Sequence, residues 1–140
     1  MADDSVRTRQ QVSIITAAFA AIATGDVEAM LENYSDDVVF GIPYSSPPKV
    51  IVGKRDVAKY LRAAFNVFRF SLAITRAFAL IDPDTLIVEY VSTGNALPTG
   101  RPYANSYIAI YTFRGDLICG VKEYFNPIPA QVALGAFVSD

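Results

Sequence analysis

The apolar positions in the first part of the chain recur at helical spacing. Val12, Ile15, Phe19 and Ile22 stand three or four residues apart on one stripe, which predicts a buried helix over residues 7–23 that Gly25 stops. Residues 1–6 precede that stripe and are expected to be loosely ordered. Asp26 reads as the cap of a short second helix over residues 27–34, with Met30, Leu31 and Tyr34 turned inward. Ser35, Asp36 and Asp37 have turn chemistry and lead into a strand over residues 38–42. The proline-bearing stretch 43–53 reads as an irregular loop. A third helix is expected over residues 55–65, with Val57, Tyr60, Leu61, Ala64 and Phe65 on its inner side.

From Phe68 onward the period shortens to two. Strands are expected over residues 68–80, 85–96, 103–113 and 117–125, with turns at Asp82-Pro83-Asp84, Pro98-Thr99-Gly100 and Arg114-Gly115-Asp116. A last helical segment is expected over residues 129–136. Helices first and antiparallel strands afterwards is the α+β pattern. The expected architecture is a curved, mostly antiparallel sheet wrapped over about three N-terminal helices, a cone with an internal pocket. No repeat or linker divides residues 1–140, so one domain is expected.

Composition narrows the chemistry. With 52% apolar and only 19% charged residues the chain can bury a core and is not a disordered tract. Twelve basic against 14 acidic residues leave no positive field for phosphates, so nucleic acid is not an expected partner. The absence of histidine and the single cysteine exclude Ser-His-Asp and Cys-His catalysis, histidine or thiolate metal sites, and an internal disulfide. Proton transfer is left to Asp, Glu, Tyr, Lys or water. No dinucleotide fingerprint, metal constellation or Schiff-base lysine is visible, and no cofactor is expected. The apolar run 12–23 follows Arg7 and Arg9 as in a secretory leader, but Asp3 and Asp4 occupy the would-be basic region. The run is also shorter than the roughly 20 residues a spanning helix needs. A cytoplasmic protein without membrane attachment is the expectation.

The last strand carries the sharpest chemical signal. Alternation sets Leu117, Cys119, Val121, Glu123 and Phe125 on one face, so Glu123 shares its side of the sheet with apolar residues. A carboxylate there loses solvation and its pKa rises, the environment that poises a glutamate for acid–base work near neutral pH. The alternative is an ion pair with an arginine such as Arg76. On the preceding strand Asn105 and Tyr107 share a face and could orient a carbonyl or hydroxyl, and Tyr90 and Ser92 share a face one strand further on. Glu123 is therefore the candidate catalytic residue, with Tyr90, Ser92, Asn105, Tyr107 and Val121 as candidate substrate-binding residues.

The segments Val88-Glu89, Ala96-Leu97-Pro98-Thr99-Gly100-Arg101-Pro102-Tyr103 and Glu123-Tyr124-Phe125-Asn126-Pro127 resemble the SnoaL-like branch of the nuclear transport factor 2-like superfamily. In the front half, Gly25-Asp26, Asp37-Val38-Val39-Phe40 and Gly53-Lys54-Arg55 agree with it. The branch includes polyketide cyclases, phenazine biosynthesis A/B-type proteins and limonene-1,2-epoxide hydrolases. Carried over from the epoxide hydrolases, one acidic position falls on Glu123. Their arginine and second acid become Tyr90 and Ser92, and their helper tyrosine and asparagine become Phe40 and Ile42. That water-activating set is therefore absent. The base of ketosteroid isomerase-like enzymes also falls on Ile42. The phenazine-type proteins match best at Glu123, although the histidine of their pocket has no counterpart. The resemblance implies a homodimer formed through the outer face of the sheet. It also implies a cofactor-independent isomerase, lyase or cyclase acting on an apolar carbonyl compound, or else a carrier that binds such a compound unchanged. A protein-interaction domain, as in the superfamily's transport members, is a further alternative.

Overall fold

The computed structural model describes residues 2–136, with side chains from Val6 onward. Helix α1 (Ala2–Thr24) buries the stripe Ile15, Phe19 and Ile22 across strand β3. It starts at Ala2, so residues 2–6 belong to it rather than forming a loose lead; neither Gly nor Pro interrupts the chain before Gly25. Met1 lies outside the described residues. Gly25 takes a positive φ of 73° where the helix stops, and the Arg69 guanidinium donates to the Thr24 carbonyl there at 3.0 Å. The Asp26 carboxylate accepts from the Ala29 N–H and caps α2 (Val27–Met30).

The second helix is shorter than expected, because Tyr34 already opens β1 (Tyr34–Ile42). Ser35, Asp36 and Asp37 are strand, not turn: β1 runs parallel to β6 and pairs with it from Tyr34↔Ile118, and the Ile118 N–H donates to the Asn33 carbonyl at 2.8 Å. Tertiary pairing overrides local turn preference here. The expected loop also contains a short edge strand, β2 (Lys49–Val52), antiparallel to β1 just beyond the last proline. Helix α3 (Lys54–Phe65) covers this end of the sheet, burying Val57, Leu61 and Phe65.

The remaining strands are β3 (Phe68–Ala79), β4 (Thr85–Ala96), β5 (Pro102–Arg114) and β6 (Leu117–Phe125), followed by helix α4 (Ile128–Ala133). The sheet order is β2-β1-β6-β5-β4-β3, antiparallel except for β1–β6, and the sheet stays open. Its concave side packs on α1, α2 and α3 through the main core, and α4 covers a smaller cluster of Ala96, Tyr103 and Ala133, giving an α+β cone. At Gly94 the β3 backbone comes so near that a Cβ would lie 2.1 Å from the Arg69 carbonyl oxygen. Only glycine permits that approach.

One register detail corrects the sequence expectation for β6. Phe113 pairs with Ile118 and Thr112 with Gly120, so Cys119 is the extra residue of a bulge. The bulge reverses the parity of the strand's first residues. Ile118 is buried with Val121, whereas Leu117 is 40% exposed. From Val121 onward the expected inner face is observed.

Candidate functional site

A cavity of about 200 Å³ lies between the concave sheet and the helices. Phe19, Phe40, Phe65, Phe70 and Phe125 supply much of its wall, together with the phenols Tyr60, Tyr103, Tyr107 and Tyr111. Glu123 is the single acidic or basic side chain among the described residues that line it. It opens on to the cavity, so a water molecule can reach it, but its surroundings are apolar and aromatic.

Register explains how the carboxyl is held. Ala109 of β5 stands directly opposite Glu123 and opposite Val88 of β4. Its single methyl leaves room for the Tyr90 ring, also on β4, to reach across, and the Tyr90 hydroxyl donates to Glu123 Oε2. Arg76 is not a partner: its guanidinium stacks over the Phe78 ring, 4.5 Å from the centroid. With one phenol donor and no cation, burial dominates, and the Glu123 pKa is pushed up from 4.5 to about 7, the Tyr90 hydrogen bond opposing the shift. Burial and the nearby Glu123 charge together raise the pKa of Tyr90 well above its ordinary value, so this phenol keeps its proton. Tyr111 lies between Tyr90 and Tyr34 and interacts with both. The Tyr34 hydroxyl is buried without a hydrogen bond of normal geometry.

A second polar cluster lies along β4 and β5. Tyr107 donates to Ser92 Oγ at 3.0 Å, so its oxygen accepts from the Tyr103 hydroxyl at 2.8 Å. Asn105 Nδ2 donates both to Tyr103 Oη at 3.2 Å and to the Asn126 carbonyl at 2.8 Å. The Tyr107 ring stacks on Tyr90, with centroids 4.8 Å apart and planes 11° from parallel, and this contact joins the two clusters.

The six residues singled out from the sequence thus occupy different layers. Glu123 and Tyr107 line the cavity. Tyr90 holds Glu123 from behind, and Ser92 holds Tyr107. Asn105 sits at the sheet end and supports Tyr103 rather than facing the cavity. Val121 is core, 4% exposed, and is not part of the lining. Tyr103 and Tyr111 are lining residues not among those six, although strand parity sets both on the face of Tyr107. Tyr60 of α3 is a further lining residue, which helical periodicity turns inward without marking its chemistry. Among the described residues no group of three His, Cys, Asp or Glu side chains could hold a metal ion. No helix among them is long and apolar enough to cross a membrane.

The SnoaL-like domain model matches residues 15–121. The Bacillus subtilis protein YesE is 28% identical over 113 residues, covering 79% of this chain and 77% of YesE. A candidate isomerase from Bacillus subtilis has a solved structure that superposes with a TM-score of 0.86 at 25% identity, covering 92% of this chain and 95% of the other. A phenazine biosynthesis-related protein from Pseudomonas aeruginosa superposes at 0.77 with 19% identity, covering 99% and 93%. At that identity the likeness is one of fold.

Proposed function

Because the chain belongs to the SnoaL-like domain family, we propose that it is a cofactor-independent enzyme acting on an apolar carbonyl compound, with Glu123 as the proton-transferring group. The observation that carries this is a carboxyl with no cation beside it, poised near neutral pH on the wall of an aromatic cavity. Ionised, Glu123 removes a proton from the carbon next to the carbonyl; protonated, it returns that proton to the same or another carbon. Isomerisation, dehydration, cyclisation and condensation all use this step. The neighbours named above, an isomerase candidate and a phenazine biosynthesis-related protein, are compatible with it. Cavity size restricts the substrate to a compact, uncharged molecule, since an anion would meet Glu123 with no compensating cation.

The test uses a generic carbon acid. β-Tetralone incubated with the protein in D2O should exchange its α-hydrogens faster than in buffer, and Glu123→Gln should return the rate to background. Binding of the ketone without Glu123-dependent exchange would instead favour a carrier. The same proposal includes a homodimer through the outer sheet face, where Val39, Val91 and Ile108 stand exposed. Sedimentation equilibrium should give twice the chain mass, and a monomer would remove that part of the proposal.

A further inference from the structure

Four phenols line the cavity, and two of them, Tyr103 and Tyr107, have hydrogen-bonded hydroxyls. Tyr103 and Tyr107 are bound to each other, to Ser92 and to Asn105. Tyr111 lies against Tyr34 and Tyr90. Tyr60 differs: its hydroxyl makes no hydrogen bond to any described residue, although its ring is fixed on the wall 6.3 Å, centroid to centroid, from Phe40. It comes from α3, the side of the cavity facing the sheet that carries Glu123. Phe40 pairs with Val121, two residues before Glu123 on the same inner face, which brings Tyr60 within electrostatic reach of the carboxyl.

We propose that Tyr60 is the hydrogen-bond donor to the substrate's carbonyl oxygen, acting from the helix side while Glu123 works on the adjacent carbon from the sheet side. This rests on the function proposed above and puts Tyr60 in the orienting role expected of Asn105 and Tyr107, whose polar groups are bound to one another through Tyr103 and to Ser92. In the step, the substrate C–H bond breaks and its proton goes to a Glu123 oxygen. The electron pair moves to form C=C, and the carbonyl becomes an enolate oxygen that accepts from the Tyr60 hydroxyl. Reprotonation at carbon by Glu123 restores both groups. Tyr60 suits donation without loss of its own proton, because burial, then the Glu123 and Tyr103 charges, push its pKa up to about 12. A positioned donor where negative charge develops stabilises the transition state more than the ground state.

The experiment compares β-tetralone with tetralin, its counterpart without the oxygen. Affinity for both and deuterium exchange into the ketone are measured for the wild type, Tyr60→Phe and Glu123→Gln. The ratio of ketone to tetralin affinity should be about tenfold higher in the wild type than in Tyr60→Phe, because the phenol donor offsets the hydration the carbonyl loses. Tyr60→Phe should lose that tenfold advantage of the ketone while binding tetralin about as the wild type does, which shows that the cavity is intact, and its exchange should fall by about a hundredfold. If Tyr60→Phe keeps both the wild-type affinity ratio and the exchange rate while Glu123→Gln abolishes exchange, the assignment of Tyr60 is overturned and the proposed function stands. If the wild type itself shows no Glu123-dependent exchange, the proton-transfer function fails and the role of Tyr60 falls with it.

Discussion

Asp37 and Glu123 lie on adjacent parallel strands, β1 and β6, and meet opposite fates. Asp37 points to solvent and is held by Arg114, whose two guanidinium nitrogens donate to its carboxylate at 3.2 and 3.3 Å. Those hydrogen bonds lower its pKa. Glu123 points into the cone, meets a phenol instead of a guanidinium, and is pushed the other way. Residue type says little about chemistry at either position. What decides is whether the strand turns the side chain toward water and a cation or toward aromatic rings.

The largest test of this contrast is catalytic. Glu123→Gln keeps shape and a hydrogen-bonding oxygen for Tyr90 but cannot carry the proton, so exchange of β-tetralone should fall by roughly 10²- to 10⁴-fold. The next effect is on folding. The proton of Glu123 binds more tightly in the folded than in the unfolded chain, so stability is highest below the unfolded pKa of 4.5. It should fall as pH rises toward about 7, then level off. Glu123→Gln should remove that slope and gain about 3 kcal/mol near pH 8, read by urea denaturation at acid and mildly alkaline pH.

A smaller change is expected from Tyr90→Phe. Loss of the one opposing hydrogen bond should lift the Glu123 midpoint further by about one pH unit, read as a shift in the pH–exchange profile. Smallest of all is Asp37→Asn. Its pair with Arg114 is solvent-exposed, so the urea midpoint at neutral pH should scarcely move. A large loss there would erase the distinction between the two carboxylates.

The sheet was legible where alternation and turn chemistry coincide. The limits of β4 and β6 follow from the Asp82-Pro83-Asp84 and Arg114-Gly115-Asp116 turns and the periodicity between them. Long-range pairing was not legible. The parallel β1–β6 ladder straightens Ser35–Asp37 against local preference, and the bulge at Cys119 arises from registration with β5. Glu123 was readable because it lies beyond that bulge, where the alternation is undisturbed. The use of each tyrosine was not. Helical periodicity turns Tyr60 inward, but only the folded cavity distinguishes a phenol left without a partner from Tyr103 and Tyr107, which are bound to each other.

The most direct measurement is the infrared carboxyl band of Glu123, taken as the difference between the wild type and Glu123→Gln across the pH range. A protonated-carboxyl C=O band that persists through the acid range and disappears with a midpoint near 7 is expected of a carboxyl isolated among aromatic rings. A midpoint near 4.5, the ordinary value, would mean that Glu123 is solvated or paired and would contradict its role as the proton-transferring group.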